Sequence, residues 1–464
     1  MVWCLQVVGS TLVSPVLAHL LGPSDFGELS SAIALHQVLV IVAGLGIDQA
    51  LVQQRAEDGD DRSARRLITI GTAFALLMTS VAAVTAPVWS TFLGFAGVSS
   101  LLVATLLWTV PAVAGQMMLA LLLSQDRFRP FALVSLVAAV GGQVVGIGLL
   151  VGLARDAGVY AWGGVVSQFA AMALGIVLTR PAFRGVVDSA LVRRTLALGL
   201  PLTLSMLSMF VLNMGDRVVI QRILGPAEVG RYQVAYIVGY VVVMLVGFTS
   251  QAWSPRIAGI ADRARRWALL GRARDELYVL LAPVILGVTL AAPLLLRIVA
   301  PESFRPEGLV VVVFLVALSA YPFAASGASG RALVTERRTR PIAVLTGVAA
   351  VLNIAINIAL LDRFGIVAAA GGTLVAFAIQ ALLQRRAVPG IAPLPRTPLP
   401  VLLGIVVVTA VSAASTQLPQ TPTWNLVKFA LAVACVPYFV LRLRRAQRLP
   451  DARGAVDPPA GPPD

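Results

Sequence analysis

Apolar residues run through this chain in long blocks, broken by charge clusters and Gly/Pro turns rather than alternating with polar ones. A bilayer core is ~30 Å thick and takes ~20 apolar residues of helix to cross. On that measure the blocks predict fourteen spans at roughly 2–21, 29–52, 67–86, 98–122, 131–154, 158–179, 195–214, 229–253, 277–299, 309–330, 342–361, 365–384, 398–417 and 425–441. The expected fold class is therefore an all-α integral membrane protein of about 14 transmembrane helices. The run Val2 to Leu21 lacks the cationic start of a signal peptide and leads into Gly22-Pro23, so it reads as the first span. Its abrupt start points to a few further residues upstream.

Composition agrees with lipid as the solvent. Of 464 residues 58% are hydrophobic and 12% charged, against about 25% charged in a soluble domain. The net charge of +14 comes from 35 Arg and the single Lys428. Twenty-eight of these cations fall in the loops after even-numbered spans and the C-terminal tail, and five in the loops after odd-numbered spans. Such strict alternation is the positive-inside rule, which sets both termini on the cytoplasmic side. The charge is thus a topology signal and not a nucleic-acid footprint.

Three features recur in order. Leu21-Gly22-Pro23 returns as Leu224-Gly225-Pro226, Pro111 before Arg129-Pro130 as Pro322 before Arg340-Pro341, and Gly158-Val159 as Gly365-Ile366. The offsets of 203, 211 and 207 residues each carry a span onto the one six later. An even offset keeps orientation, so the chain is expected to hold two parallel six-helix repeats plus two extra C-terminal helices. The corresponding domains are 1–185 and 186–386, a Pro-rich linker 387–397, the added helices 398–445 and a disordered tail 446–464.

Some chemistry is excluded. Cys4 and Cys435 lie at opposite ends and the chain has two histidines, so neither a disulfide framework nor a metal centre is expected. No cofactor is expected either. Asp58-Gly59-Asp60-Asp61 imitates a metal-binding Asp-x-Asp but sits among arginines, as a solvated charge run does. A Gly-rich phosphate loop with Lys is missing, which excludes a built-in P-loop motor.

The ordered set Leu21-Gly22-Pro23-x-Asp25-x-Gly27, Gly44-Leu45-Gly46-Ile47-Asp48, Asn213-x-x-Asp216-Arg217, Leu224-Gly225-Pro226-x-Glu228-x-Gly230-x-Tyr232, Leu352-Asn353-x-x-x-Asn357 and Phe364-Gly365-Ile366 resembles one family. It is that of the oligosaccharide-lipid flippases in the multidrug/oligosaccharidyl-lipid/polysaccharide exporter superfamily. The resemblance implies two bundles around a central cavity opening alternately to either side. It implies a substrate of undecaprenyl-pyrophosphate type bearing a sugar unit, turned from inner to outer leaflet. Its partners would be that lipid-linked oligosaccharide, membrane lipid, and the polysaccharide polymerase and glycosyltransferases of the same pathway, with the chain a monomer. The family often has Arg just before the first Leu-Gly-Pro turn; here His19 stands there, while Arg222 keeps the matching place in the second copy.

A pyrophosphate head needs cations and donors inside the bundle, and ionisable groups at membrane depth are costly enough to be functional candidates. Asn213, Asp216, Arg217, Arg222 and Arg231 surround the junction of spans 7 and 8. Arg217 or Arg222 is placed to fork onto phosphate with Asp216 as counter-charge; an interfacial ion pair with a snorkelling Arg222 explains the same residues equally well. His19, His36, Gln251, Tyr240, Asn353 and Asn357 are further candidates, the last two on one face of span 11. For His36, an interhelical packing bond is the stronger reading. Asp48 and Asp216 are the candidates for ion coupling. Gly142, Gly146, Gly148 and Gly152 are read as helix packing. The leading function is the flippase; an ion-coupled drug exporter of the same superfamily is the alternative. A membrane enzyme of polymerase or ligase type ranks third, because the outer loops are too short to build a catalytic site.

Overall fold

The computed structural model describes residues 2–183, 188–258, 260, 262–388 and 394–447, and only the backbone of 2–12, 248, 250–258 and 445–447. The expected boundary at 185/186, linker residues 389–393, the tail from 448 and the side chains of Cys4 and Gln251 lie outside the described residues. Among those described there is no strand.

Among the described residues, thirteen continuous stretches are long and apolar enough to cross a membrane. The first of them, Val13–Asp58, has 46 residues, which as one helix would be about 70 Å long. Gly22 breaks it with φ 75° and ψ 177°, so the count becomes fourteen helices. They are α1 (2–21), α2 (23–44, resuming as a short helix Ile47–Asp58 after left-handed Leu45 and Gly46), α3 (Arg62–Phe92), α4 (Ser100–Ser124), α5 (Phe128–Gly152), α6 (Ala157–Thr179) and α7 (189–224) in the first part of the chain. Then come α8 (Pro226–Ala258), α9 (Arg263–Val299), α10 (Pro306–Thr335), α11 (Arg340–Phe364), α12 (Ile366–Ala387), α13 (Leu399–Gln417) and α14 (Pro422–Gln447).

The repeat is visible in the backbone. Gly225 separates α7 from α8 with φ 90° and ψ 169°, nearly the values of Gly22. Only glycine takes such angles freely, and the proline that follows each starts the next helix without a missing donor. α7 differs from the expected span: it runs on through Gly215, whose backbone stays helical at φ −65° and ψ −24°, as far as Leu224 instead of ending near residue 214. The continuation carries Val218, Val219, Ile220 and Ile223, and pairing Asp216 with Arg217 removes the net charge that otherwise ends a span.

Within each half, helix pairs cross closely. A Cβ on Gly146 would press on the Tyr160 ring at 2.7 Å, and Gly142 lies against Gly164. Gly148 and Gly152 have nothing within 4 Å, so half of the small-residue stripe expected to pack does so. α14 lies along α9, where Gly287 admits Cys435. The expected linker is clipped down, with Arg274 donating to the Pro395 carbonyl at 2.9 Å and Arg385 to that of Leu394 at 2.9 Å.

Apolar cores are arranged unequally along the membrane normal. At the arginine-poor end one continuous cluster joins both six-helix units, with Leu21, Phe26 and Leu102 from the first and Ile220, Val229 and Phe304 from the second. At the arginine-rich end the units have separate clusters, one around Leu51, Leu67 and Met117 and another around Trp267 and Leu333. Leu191 at the start of α7 is the residue of the second unit that joins the first unit's cluster.

Each unit ties its own arginine-rich loops together. Asp61 accepts from Arg55 at 2.8 Å and from Gln125 at 2.6 Å and lies 3.4 Å from Arg65. Burial pushes the Asp61 carboxyl up, but those hydrogen bonds and the Arg55 and Arg65 charges outweigh it and hold it below its usual value. Asp61 is thus a pinned joint between the α2–α3 and α4–α5 connections rather than part of a solvated run. In the second unit Arg263 and Glu336, 3.1 Å apart, make the corresponding tie.

Candidate functional site

α2 runs along the seam between the two units. At the arginine-poor end Gly27 of α2 meets Gly230 of α8. A Cβ on Gly27 would strike the Pro226 carbonyl and come within 2.6 Å of the Gly230 nitrogen. A Cβ on Gly230 would strike the Pro23 carbonyl and come within 3.2 Å of the Gly27 nitrogen. Exchange of the same partners is what a two-fold relation between parallel repeats produces. The closure is broadened by Phe26 set edge-on to Phe304 at 6.0 Å and by Gln221, which donates to the Gly94 carbonyl at 3.3 Å.

At the arginine-rich end closure is narrower. Gly46, left-handed at φ 63°, brings the chain against α7, where a Cβ on Gly199 would strike the Leu45 carbonyl. Thr195, Gly199 and Thr203 form a buried stripe at four-residue spacing around that point. Pro201 of the same helix is exposed, and the Thr203 and Ser205 hydroxyls bond back to the carbonyls of Gly199 and Pro201.

Between the shared core and the membrane middle lies a polar cluster. Arg217 is 1% exposed. Its guanidinium donates to Asp216 at 2.6 Å, to the Asn213 carbonyl at 3.0 Å and to Gln233 at 3.0 Å. It stacks over the Tyr236 ring at 4.1 Å and nears Tyr232 at 5.5 Å. The Tyr232 hydroxyl donates to the other Asp216 oxygen. Across the seam the Ser31 hydroxyl lies 3.5 Å from the Arg217 carbonyl. The Nη2 group of Arg217 is buried without a hydrogen-bond partner. A buried ion pair gains little net energy because desolvation offsets attraction, so this cluster fixes geometry more than it adds stability. An unmatched donor there is a group that could serve an anion once the seam parts.

The expected candidates thus fall into three groups. Asn213, Asp216 and Arg217 come together as above. Arg222 is exposed at the end of α7, and Arg231 is tied to Glu228 at 2.7 Å and to the Phe304 carbonyl at 3.1 Å. The remainder are apart. His19 is exposed and bonds the Pro15 carbonyl at 2.9 Å. His36 is buried between the Trp108 ring, at 4.7 Å, and the Thr109 hydroxyl, at 3.4 Å, as a packing group is. Asn353 and Asn357 are fully buried, linked to each other at 3.3 Å and to Thr373 of α12 at 3.2 Å. Asp48 is partly exposed beside Gln49 in the short helix after Gly46.

Tyr232, Tyr236 and Gln233, all partners of Arg217, were missing from the expected site. Tyr232, Tyr236 and Tyr240 recur every fourth residue; that aromatic stripe facing an arginine was the available signal. Tyr236 and Tyr240 stack at 4.9 Å. Among the described residues no group of His, Cys, Asp and Glu is arranged to hold a metal ion.

Comparison with known proteins gives this arrangement a context. Over the whole fold the chain is similar to the lipid II flippase MurJ in an inward closed conformation, with a TM-score of 0.71 and 14% identity over 96% of this chain and 98% of that one. It is also similar to an inward-facing multidrug resistance MATE family transporter of the MOP superfamily, with a TM-score of 0.57 and 14% identity over 88% and 96%. In sequence it is 26% identical over 307 residues to the succinoglycan biosynthesis transport protein ExoT of Rhizobium meliloti, a match covering 61% of this chain and 57% of the relative. The model of the polysaccharide biosynthesis protein family matches residues 5–261. That is more than half of the 464 residues, and the chain is a multi-pass membrane member of the polysaccharide biosynthesis protein family, built on the MOP superfamily fold.

Proposed function

We propose that the protein is a flippase that moves undecaprenyl-pyrophosphate-linked oligosaccharide from the inner to the outer leaflet of a bacterial cytoplasmic membrane by alternating access. The arginine-rich end is cytoplasmic in this reading, following the positive-inside rule. The observation that carries the proposal is the unequal seam: a broad closure at one end, a narrow one at Gly46, Gly199 and Leu191 at the other, and a buried arginine cluster between. A transporter resting with its outward side sealed and its inward side lightly latched has this form.

In this reading the head group enters from the arginine-rich side as Gly46 and Gly199 separate. Arg217 turns its unmatched donors to a phosphate oxygen, and Arg222 receives the head group near the outer end. Asn213, Gln233 and Tyr240 are the candidates for sugar hydroxyls. The drug-exporter alternative draws on the MATE-type fold, but it needs a free intramembrane acid, and Asp216 is already engaged by Arg217 and Tyr232.

The test is translocation of radiolabelled lipid-linked oligosaccharide in vesicles reconstituted with the protein. Intact label reaching the far leaflet supports the proposal. Drug efflux without it supports the exporter, and a lengthened glycan the enzyme. Arg222→Ala is expected to abolish transport in membrane-inserted protein, with Arg222→Lys retaining part; normal transport by Arg222→Ala removes that residue from the site.

A further inference from the structure

A groove of about 340 Å³ runs between α2 and α3, separate from the arginine cluster. Leu35, Leu39 and Val42 of α2 form one wall, and Ala82 and Trp89 of α3 with Leu93 just past its end the other. Thr79 and Thr85 also line it; the Thr85 hydroxyl is turned onto the Val81 carbonyl at 2.8 Å, and the buried Thr79 hydroxyl, without a partner, is the one unused polar group among these. The indole nitrogen of Trp89 is used, on the Ala82 carbonyl at 2.9 Å. The groove therefore offers hydrocarbon and little else. An apolar cavity of ~150 Å³ takes up benzene, so this one has room for roughly a dozen carbons, or two or more five-carbon isoprene units.

Its position distinguishes it from the general lipid-facing surface. From Met78 to Leu93 the α3 wall extends about 22 Å along the helix axis, most of the ~30 Å hydrocarbon thickness. The α2 wall adjoins the seam: Leu35 lies one helical turn from Ser31, whose hydroxyl is 3.5 Å from the Arg217 carbonyl. A head group held near Arg217 would have its own tail beside this groove, without threading the protein. The groove's length lets a tail stay seated while the head changes depth.

We propose that the α2–α3 groove seats the polyprenyl chain of the substrate while its head group crosses the seam. This rests on the flippase reading above. Bulk phospholipid acyl chains, having no head group in the seam, gain no residence there.

The test uses the full chain in lipid vesicles and a polyprenyl diphosphate with a photoactivatable diazirine in its tail. Label is expected to concentrate on α2 and α3 peptides over those of α13 and α14, whereas a phospholipid with a diazirine in its acyl chain labels all lipid-facing helices evenly. Identical distributions for the two probes overturn the proposal. In transport, Ala82→Trp, which fills the groove, is expected to slow undecaprenyl-linked oligosaccharide about tenfold. Val84→Trp, on the same helix but 81% exposed and outside the groove, is expected to match wild type. Labelling is read on the unmutated chain, so misfolding of Ala82→Trp does not hide the answer. Wild type that moves no lipid-linked oligosaccharide defeats the flippase reading; active wild type with equal Trp variants and even labelling defeats the groove alone.

Discussion

The two ends of the seam close by different physics. At the arginine-poor end, two six-helix units pool their apolar side chains into one core, and the reciprocal Gly27–Gly230 contact lets the backbones approach inside it. At the arginine-rich end each unit keeps its own core and its own loop tie, Asp61 in one and Arg263–Glu336 in the other. The units meet there at Gly46 and Gly199, beside Leu191. Burying a large shared apolar surface makes a wide, cooperative closure, whereas a narrow contact between independently stable units costs little to part. One end is therefore closed more firmly than the other.

The largest expected effect lies in the polar cluster on the tightly closed side. Arg217→Ala leaves Asp216 charged and desolvated and should cost about 3–5 kcal/mol of stability. Arg217→Met combined with Asp216→Leu should recover most of it, because the desolvation penalty goes with the pair. Thermal unfolding in detergent measures both; a loss below about 1 kcal/mol in the single variant means the cluster is wetter than its burial implies.

Next comes Gly230→Val. The added carbons meet backbone rather than a movable side chain, so the shared closure should lose about 1–3 kcal/mol. That corresponds to a roughly 5- to 150-fold shift toward the open form. A cysteine placed at Ser31 should then react faster with a membrane-impermeant thiol reagent. An unchanged rate would show that this end closes without the glycine contact.

Gly199→Ala should act in the same direction at the opposite end but more weakly. The new methyl strikes the Leu45 carbonyl, yet alanine regains about 1 kcal/mol of helix propensity over glycine, and little else holds the contact. Vesicles should show faster entry of reagent from the arginine-rich side with stability near wild type. An effect as large as that of Gly230→Val would erase the contrast between the ends.

The smallest effect is in the loop tie. The Asp61 carboxyl is held low in the folded protein, so its contribution is complete above the ordinary carboxylate pKa of about 3.9 and is lost as pH falls through the lower folded value. Stability should therefore decline slightly below about pH 4, and Asp61→Asn should flatten that part of the profile. Equal acid sensitivity in the variant would assign the decline to other carboxyls.

Much of the architecture was legible before any coordinates. Span count and helical class follow from hydropathy, the parallel repeat from turn motifs recurring at offsets of 203 to 211 residues, and the Gly22 and Gly225 breaks were marked by Gly-Pro dipeptides. The polar site was half legible. Arg217 and Asp216 stood out as charges near a span end, but the sequence equally allowed an interfacial pair in a loop. Their burial depends on α7 continuing past Gly215 and on α8 bringing up Tyr232, Tyr236 and Gln233. Asn353 and Asn357 were assigned to one helix face correctly, yet that face meets Thr373 of α12 rather than the seam. His36 likewise faces Trp108.

The sequence alone determined what solvent this chain needs, how many times it crosses, and that its halves run the same way. The first two are sums over long windows, where each apolar residue adds to transfer into lipid regardless of its neighbours, and the third is carried by short turn motifs that recur in the same order. Tertiary structure decided which glycines touch across the seam, which end shares a core, and which polar groups are sealed in. These are pairwise contacts between helices some two hundred residues apart, set by rotation and tilt that no local pattern encodes.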